Sequence, residues 1–138
     1  MILLDASGLL AAFDTDEPDY GASGAALLQS QPPRFLSPFV LAEVDYLVAS
    51  RLGRRRRSEL LDEVSLGAYQ LAQFAADDVA EAKTIVDRYE DLGVSLADAS
   101  IVVLAHRHRV TDILTLDERH FRVLQGPDGP FRLLPADS

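Results

Sequence analysis

Residues 1–7 read Met1-Ile2-Leu3-Leu4-Asp5-Ala6-Ser7, and this stretch is the clearest indication of the fold class. Its apolar run ends directly at a carboxylate, which is typical of a short strand buried on both faces of a parallel sheet. Similar short runs recur along the chain, with helical periodicity between them. Strands that alternate with helices predict an α/β fold with a mostly parallel sheet. Sites in such folds form beyond the carboxyl ends of the strands, where Asp5 lies.

The periodicity divides the chain into five strands and seven helical segments. We predict strands over residues 2–5, 34–36, 69–74, 112–115 and 131–134. We predict helices over residues 7–13, 18–28, 38–52, 55–66, 77–92 and 95–108, and a helical turn over 118–123. Ser7 is expected to cap the first helix, and Ser37-Pro38 is a strong start for the third. The expected product is a single domain over residues 1–138.

The composition is that of an ordinary globular protein. Hydrophobic residues make up 48% of the 138 residues and charged residues 25%, which argues against disorder. The formal net charge of -9 argues against general electrostatic adhesion to nucleic acid or to an anionic membrane. A bound divalent ion or a local arginine cluster can still reverse that field where a nucleic acid docks.

Several classes of site are excluded by the residues that are missing. The chain has no cysteine, so it has no disulfide framework, zinc thiolate site or thiol nucleophile. No glycine-rich phosphate loop is present. The N-terminus has no pattern of a secretory signal, and no apolar run is long enough to span a membrane. We therefore expect a cytoplasmic protein that does not associate with membranes.

Four acids fall within or directly after apolar segments that should form the core: Asp5, Glu43, Asp98 and Asp117. A carboxylate in such a place costs several kcal/mol unless it is paired, hydrogen-bonded or bound to a metal. Few basic residues occur in the same segments to neutralise these charges. Together the four acids predict one shared cation site.

Three of these acids also have an ordinary structural interpretation. Asp5 can act as an N-cap for the first helix. Asp98 completes a capping box with Ser95, although its helix is apolar on nearly every side. Asp117 can be a turn residue after a strand. The functional interpretation depends on the convergence of all four acids.

Glu43 is the acid for which a structural role is hardest to find. In a helix that begins at Pro38, helical spacing places Glu43 on an apolar face with Phe39, Val40 and Leu47. A glutamate within an apolar face is rare unless it is paired or ligating. Asp45 falls on a different face and is expected to be solvated.

The remaining charged groups are weaker candidates. The run from Arg54 to Arg57 is expected to be a solvated helix start, with phosphate binding as the alternative. The histidines show no metal-ligand spacing, and we predict that all three lie on the surface: His106, His108 and His120. His120 and Arg119 are candidate phosphate contacts.

Four segments, in this order, resemble the PIN-domain ribonucleases, specifically the VapC toxins of bacterial and archaeal toxin–antitoxin pairs. The segments are Met1-Ile2-Leu3-Leu4-Asp5-Ala6-Ser7, Ser37-Pro38-Phe39-Val40-Leu41-Ala42-Glu43, Leu96-Ala97-Asp98-Ala99, and Ile113-Leu114-Thr115-Leu116-Asp117-Glu118-Arg119-His120-Phe121. The resemblance covers nearly the whole chain. It implies a PIN-like three-layer α/β/α fold around a sheet of four to five strands.

The resemblance also implies a site and a set of partners. Asp5, Glu43, Asp98 and Asp117 would be the acidic quartet, with Ser7 or Thr115 as a supporting polar contact. The family implies a homodimer and a cognate VapB-type antitoxin whose C-terminal segment covers the active site. Promoter DNA would be bound only indirectly, through the antitoxin.

A quartet of carboxylates suits a hard divalent cation, Mg²⁺ or Mn²⁺. We expect Asp5 and Asp98 to be the principal ligands, while Glu43 and Asp117 complete a second position or orient water. One or two ions would activate a water molecule and stabilise charge on a phosphodiester. The expected substrate is structured RNA, a transfer RNA or ribosomal RNA loop, cut where bases can be splayed out.

Two other classes of function remain open at this point. One is a metal-dependent phosphatase or phosphotransferase with Asp5 as nucleophile. Many such enzymes carry a second acid two residues later, where this chain has Ser7, and Lys83 is the only lysine available. The other class is a non-catalytic module whose acids bind a basic peptide.

Overall fold

A computed structural model describes residues 1–138 of the chain, with a five-stranded parallel sheet at its centre. In chain order the strands are β1 (Ile2–Leu4), β2 (Arg34–Leu36), β3 (Gln70–Leu71), β4 (Asp112–Leu114), β5 (Gln125–Gly126), β6 (Gly129–Pro130) and β7 (Arg132–Leu134). The sheet order is β3-β2-β1-β4-β7, and every pair in it is parallel. The predicted α/β class and strand number are confirmed.

Seven α-helices and one short 3₁₀ helix connect the strands. They are α1 (Ala6–Phe13), α2 (Tyr20–Gln29), α3 (Pro38–Leu52), α4 (Arg54–Ser65), α5 (Ala76–Arg88), the 3₁₀ helix Glu90–Leu92, α6 (Leu96–His108) and α7 (Glu118–Phe121). None of these helices combines the length and the apolar character that crossing a membrane would need.

The first strand is the centre of the core. All three of its residues are at most 1% exposed, although successive side chains of a strand point to opposite faces. Both faces of the sheet are therefore covered, as expected for parallel strands connected through helices. The core continues into α6, where eight consecutive residues from Asp98 to Ala105 are buried.

Two helix starts that matter for the site follow from the sequence. The Ser37 hydroxyl accepts a hydrogen bond from the Phe39 amide, and Pro38 occupies the first turn of α3. At α6 the Ser95 hydroxyl accepts from the Asp98 amide, and the Asp98 carboxylate accepts from the Ser95 amide. The predicted capping box is present. A buried contact of 2.7 Å between the hydroxyls of Ser37 and Ser100 ties the start of α3 to α6.

The order of the strands places a crevice beside β1. The chain continues from β1 to β2 on one side, while β4 pairs with β1 on the other side. Such a reversal is the topological switch point where α/β proteins bind ligands. Gly8 lets α1 lie against β4 here, because a Cβ at this position would lie 2.3 Å from the Leu114 carbonyl oxygen.

Several predicted boundaries are wrong. Ser7 does not cap α1, because Asp5 occupies the N-cap position and Ser7 lies within the helix. The third strand spans two residues instead of six, since β3 is at the edge of the sheet and pairs only with β2. The antiparallel pair β5–β6 was not predicted; it lies between α7 and β7.

Candidate functional site

An open pocket of about 270 Å³ lies at the carboxyl ends of β1 and β4. The four predicted acids line this pocket, although they come from four separate segments of the chain. No lysine or arginine is among the lining residues, which are Asp5, Ala6, Ser7, Glu43, Gly93, Ser95, Asp98, Asp117 and His120. The fold therefore collects negative charge at one place.

Asp5 is positioned by two hydroxyl groups. The carboxylate follows β1 directly and is 6% exposed. Its Oδ2 accepts a hydrogen bond of 2.8 Å from the Ser7 hydroxyl and one of 2.7 Å from the Thr115 hydroxyl. Both donors bind the same oxygen, so Oδ1 has no side-chain donor. The arrangement fixes the carboxylate and leaves Oδ1 without a side-chain partner.

The two hydroxyls are themselves held by backbone groups. The Ser7 oxygen accepts from the Leu116 amide at 2.9 Å, and the Thr115 oxygen accepts from the Asp117 amide at 2.9 Å. Each hydroxyl therefore directs its single proton to Asp5. Burial raises the pKa of Asp5, the two hydroxyl donors lower it, and the charge of Asp98 raises it again, with a net upward shift.

Asp98 is both a helix-capping residue and a residue of the pocket. It closes the capping box of α6, and it also lines the pocket while only 9% exposed. Its Oδ2 lies 3.1 Å from Nδ1 of His120. The capping interpretation of Asp98 is thus correct, and the residue also lines the pocket.

Asp117 is the N-cap of α7. Its Oδ1 accepts a hydrogen bond from the His120 amide at 3.1 Å, while its Oδ2 lies 2.9 Å from His120 Nδ1. The side chain is 31% exposed. Its position as a turn residue after β4 is again compatible with a place in the pocket.

The predicted location of Glu43 within an apolar face is wrong. The buried face of α3 is formed by Val40, Val44 and Val48, and Glu43 lies beside this stripe and is exposed. It still reaches the pocket, where partial desolvation and the charges of Asp5 and Asp98 raise its pKa. Glu43 is therefore the solvent-facing acid of the group.

The prediction that His120 lies on the surface is also wrong. Its side chain is 16% exposed and lies between the carboxylates of Asp98 and Asp117. The spacing of three between Asp117 and His120 indicates that the two share a helical turn. That spacing is the sequence feature that could have identified the contact.

The other basic candidates lie outside the pocket. Arg56 binds the Phe13 carbonyl and lies over the Phe13 ring, while Arg57 pairs with Asp45 at 2.6 Å. Asp45 is thus ion-paired and not simply solvated. His106 is exposed as predicted, but His108 is half-buried and stacks on Phe35.

The pocket has the donor set of a divalent-cation site. Ligand atoms of Asp98, Asp117 and His120 lie within 4.8 Å of one another, with Asp5 and Glu43 on the same pocket. Carboxylate oxygens are the ligands that hard cations prefer. No lysine or arginine of the chain lines the pocket to neutralise them.

Comparison with known proteins agrees with the fold. The PIN domain family model matches residues 2–126. The chain is 42% identical over 135 residues to Ribonuclease VapC26 of Mycobacterium tuberculosis. The match covers 97% of this chain and 100% of that protein.

Two solved structures share the fold at lower identity. The crystal structure of Mycobacterium tuberculosis VapC20, described as a Sarcin-Ricin loop cleaving toxin, gives a TM-score of 0.78 at 19% identity, over 85% of this chain and 90% of that one. The crystal structure of VapBC2 from Rickettsia felis, bound to a DNA fragment from its promoter, gives a TM-score of 0.67 at 20% identity, over 96% of this chain and 98% of that one. With its sheet order, its pocket and a curated relative along its whole length, the chain belongs to the PIN-domain family, among the VapC proteins.

Proposed function

We propose that the protein is a metal-dependent endoribonuclease, the toxin of a type II toxin–antitoxin pair, with Asp5, Glu43, Asp98 and Asp117 as its catalytic acids. One observation carries the proposal: four acids from separate segments line one pocket that has no lysine or arginine. Carboxylates gathered in this way repel one another unless a cation neutralises them. The name of the relative, Ribonuclease VapC26, supports nuclease activity.

Asp5 and Asp98 are the proposed principal ligands of Mg²⁺ or Mn²⁺. They are the most buried acids of the pocket, and hydrogen bonds hold both in place. Metal ligands are usually oriented by such outer contacts. When bound, the ion supplies activation of water and stabilisation of charge on the phosphodiester.

Glu43 and Asp117 have the second role in the proposal, which is to complete a second metal position or to orient water. Glu43 is exposed at the rim, and its raised pKa makes it a better proton acceptor than an ordinary glutamate. Asp117 presents Oδ2 toward the pocket while Oδ1 caps α7. Glu43 is therefore the acid of the pocket best placed to contact a water that enters from solvent.

The proposed substrate is structured RNA cut within an accessible single-stranded loop of a transfer RNA or ribosomal RNA. Bases in such loops can be splayed out toward a shallow site, while bases in a duplex cannot. The pocket is open to solvent, which suits a macromolecular substrate. VapC20, described as cleaving the Sarcin-Ricin loop, is a fold neighbour that acts on this kind of target.

The proposed partners are a cognate VapB-type antitoxin and a second copy of the chain. The antitoxin neutralises the toxin by covering the acidic pocket, and DNA is bound only through the antitoxin. The structure of VapBC2 on a promoter fragment, which has the same fold, supports such a complex.

Cleavage of RNA by the purified chain, free of antitoxin, tests the proposal. Labelled total RNA should be cut at discrete sites in Mg²⁺ or Mn²⁺, and EDTA should stop the reaction. Asp98→Asn should reduce the rate by about 100-fold or more, because it removes a charged ligand while keeping the shape of the side chain.

Asp16→Asn is the matched control, since Asp16 is exposed and lies outside the pocket. It removes the same charge and should cleave like the unaltered chain. Cleavage that persists in EDTA, or in Asp98→Asn, would contradict the proposed site.

A further inference from the structure

His120 has no part in the predicted acidic quartet, yet it lies inside the pocket. Its Nδ1 atom is buried and has no hydrogen-bond partner. A buried polar atom without a partner is uncommon in a folded protein and calls for a specific explanation. The side chain therefore indicates a group that the four acids alone do not account for.

The other ring nitrogen determines the tautomer of His120. Nε2 lies 3.1 Å from the carbonyl oxygen of Leu92, which can only accept a hydrogen bond. Nε2 therefore carries a proton. In the neutral ring, Nδ1 then has a free lone pair. A histidine that donates one nitrogen to a backbone carbonyl and offers the other to a metal is the usual arrangement at metal sites.

The free nitrogen faces two carboxylates without forming a hydrogen bond to either. Asp117 Oδ2 lies 2.9 Å from Nδ1 and Asp98 Oδ2 lies 3.1 Å from it. These are hydrogen-bond distances, but neither oxygen is aligned with the nitrogen well enough to bond. The lone pair thus points beside the two oxygens and not at them.

These distances suit three ligands around one ion. Two ligands at right angles, each about 2.1 Å from an octahedral ion, lie about 3 Å apart. In that arrangement the lone pair of the nitrogen points at the ion and passes beside the neighbouring oxygens. Ligand atoms of Asp98, Asp117 and His120 all lie within 4.8 Å of one another.

We propose that Nδ1 of His120 is a ligand of the divalent ion, together with Asp98 and Asp117, so that this position favours Mn²⁺ or a similar first-row transition ion over Mg²⁺. Imidazole suits transition ions, whereas Mg²⁺ takes oxygen ligands almost exclusively. This inference rests on the proposed function, because it assigns a further ligand and an ion preference to the same pocket.

Pulsed electron paramagnetic resonance of the Mn²⁺-loaded full chain tests the inference directly. A nitrogen bound to Mn²⁺ gives a ¹⁴N coupling in the echo modulation, and oxygen ligands give none. We expect this coupling in the unaltered chain and its loss in His120→Gln. The Mn²⁺ dissociation constant of His120→Gln should rise at least about tenfold, the lower end of what loss of a supporting contact costs. Its Mg²⁺ dissociation constant should change less.

The double variant His106→Gln/His108→Gln is the control, and it keeps the test valid if His120→Gln does not fold. The chain has three histidines, so His120 is the sole histidine of this variant. The ¹⁴N coupling should persist there at unchanged strength.

Three results would overturn the inference, and they separate it from the proposed function. Mn²⁺ bound without nitrogen coupling would show an all-oxygen site, with His120 only pairing to the acids, and would leave the nuclease proposal intact. Coupling that survives in His120→Gln would assign the nitrogen to another residue. A chain that binds no Mn²⁺ at all would remove both the inference and the proposed function.

Discussion

The position of Asp5 depends on two hydroxyl groups from different ends of the chain. Ser7 follows it in α1, whereas Thr115 comes from the end of β4, 110 residues away. Both donate to Oδ2, and both are anchored by backbone amides. Because both hydroxyl protons are directed at Asp5, the carboxylate is held in one orientation before any ligand binds.

Thr115→Val should weaken both the fold and the site. The substitution keeps the shape of the side chain but removes a donor from Asp5 and leaves the Asp117 amide without its acceptor. We expect a loss of about 1–3 kcal/mol in the free energy of unfolding. The Mn²⁺ dissociation constant should rise about 10–100-fold.

Urea unfolding and calorimetric titration with Mn²⁺ measure these two effects. Thr84→Val is the matched control, because Thr84 is exposed on α5 and bonds only to a carbonyl within its own helix. Equal affinities for Mn²⁺ in the two variants would show that the Thr115 hydroxyl does not position Asp5.

Asp5→Asn should stabilise the metal-free chain at pH 7. Burial raises the pKa of Asp5 in the folded state above its ordinary value of 3.8. The folded chain therefore holds this proton more firmly than the unfolded chain does. The contribution of Asp5 to the free energy of unfolding is fully present below pH 3.8 and is lost as the pH rises through the pKa of Asp5 in the folded state. The advantage of Asp5→Asn should accordingly shrink as the pH falls from 7 toward 4.

Urea unfolding in EDTA across this pH range measures the effect, with Asp16→Asn as the control for loss of an exposed charge. A variant that is less stable than the unaltered chain at pH 7 would show that the ionised carboxylate of Asp5 stabilises the empty pocket.

The sequence contained enough to propose the four acids but not their environments. Asp98 and Asp117 belong to recognisable caps, so their backbone positions could be predicted from local spacing. The exposure of Glu43 could not be predicted in this way, because its exposure depends on which side of α3 faces the core. For His120, the spacing to Asp117 is a local signal, but the contact with Asp98 joins α7 to α6 and no local pattern reveals it.

At the scale of elements, the site depends on how closely α1 approaches β4. Gly8 permits this approach, since a Cβ there would lie 2.3 Å from the Leu114 carbonyl oxygen and 2.7 Å from the Thr115 amide nitrogen. Both contacts are to backbone, which cannot turn aside as a side chain can. The same approach brings Ser7 and Thr115 together at Asp5.

Gly8→Ala should therefore destabilise the chain by about 1–3 kcal/mol or more, as overpacking in a core usually does. Gly24→Ala is the matched control in α2, where a Cβ would meet nothing within 4 Å. That substitution should stabilise the helix by about 0.5–1 kcal/mol. Thermal unfolding of both variants measures the difference, and effects of the same sign would contradict the close approach.

The elements that were predicted wrongly or not at all are those with few local contacts. β3 has two residues and pairs on one side only, so the alternating pattern of residues 69–74 overstated its length. The β5–β6 pair has two residues in each strand and follows no periodic pattern. The buried segments β1 and α6 were predicted well, because burial on all sides leaves a continuous apolar run.

At the scale of the whole molecule, the folded state gathers charge that the unfolded state keeps apart. The chain carries a formal net charge of -9, and four of its acids line one pocket. Folding without a cation therefore brings like charges together, and binding of a cation relieves their repulsion. A ligand that binds only the folded state raises stability in proportion to the logarithm of its concentration.

Divalent ions should consequently raise the stability of the chain. Mn²⁺ at 100 times its dissociation constant should add about 2.7 kcal/mol to the free energy of unfolding. Asp98→Asn should lose most of this increment, and Asp16→Asn should keep it. Thermal unfolding over a series of Mn²⁺ concentrations measures the effect, and a midpoint that does not move with Mn²⁺ would contradict it.

Diffraction from a crystal grown with Mn²⁺, measured at the manganese absorption edge, shows whether the acidic pocket holds the ion. We predict an anomalous peak in the pocket, within about 2.2 Å of carboxylate oxygens of Asp5 or Asp98. A fully loaded crystal with no peak in this pocket, or with its peak elsewhere on the chain, would contradict the claim that these acids hold the ion.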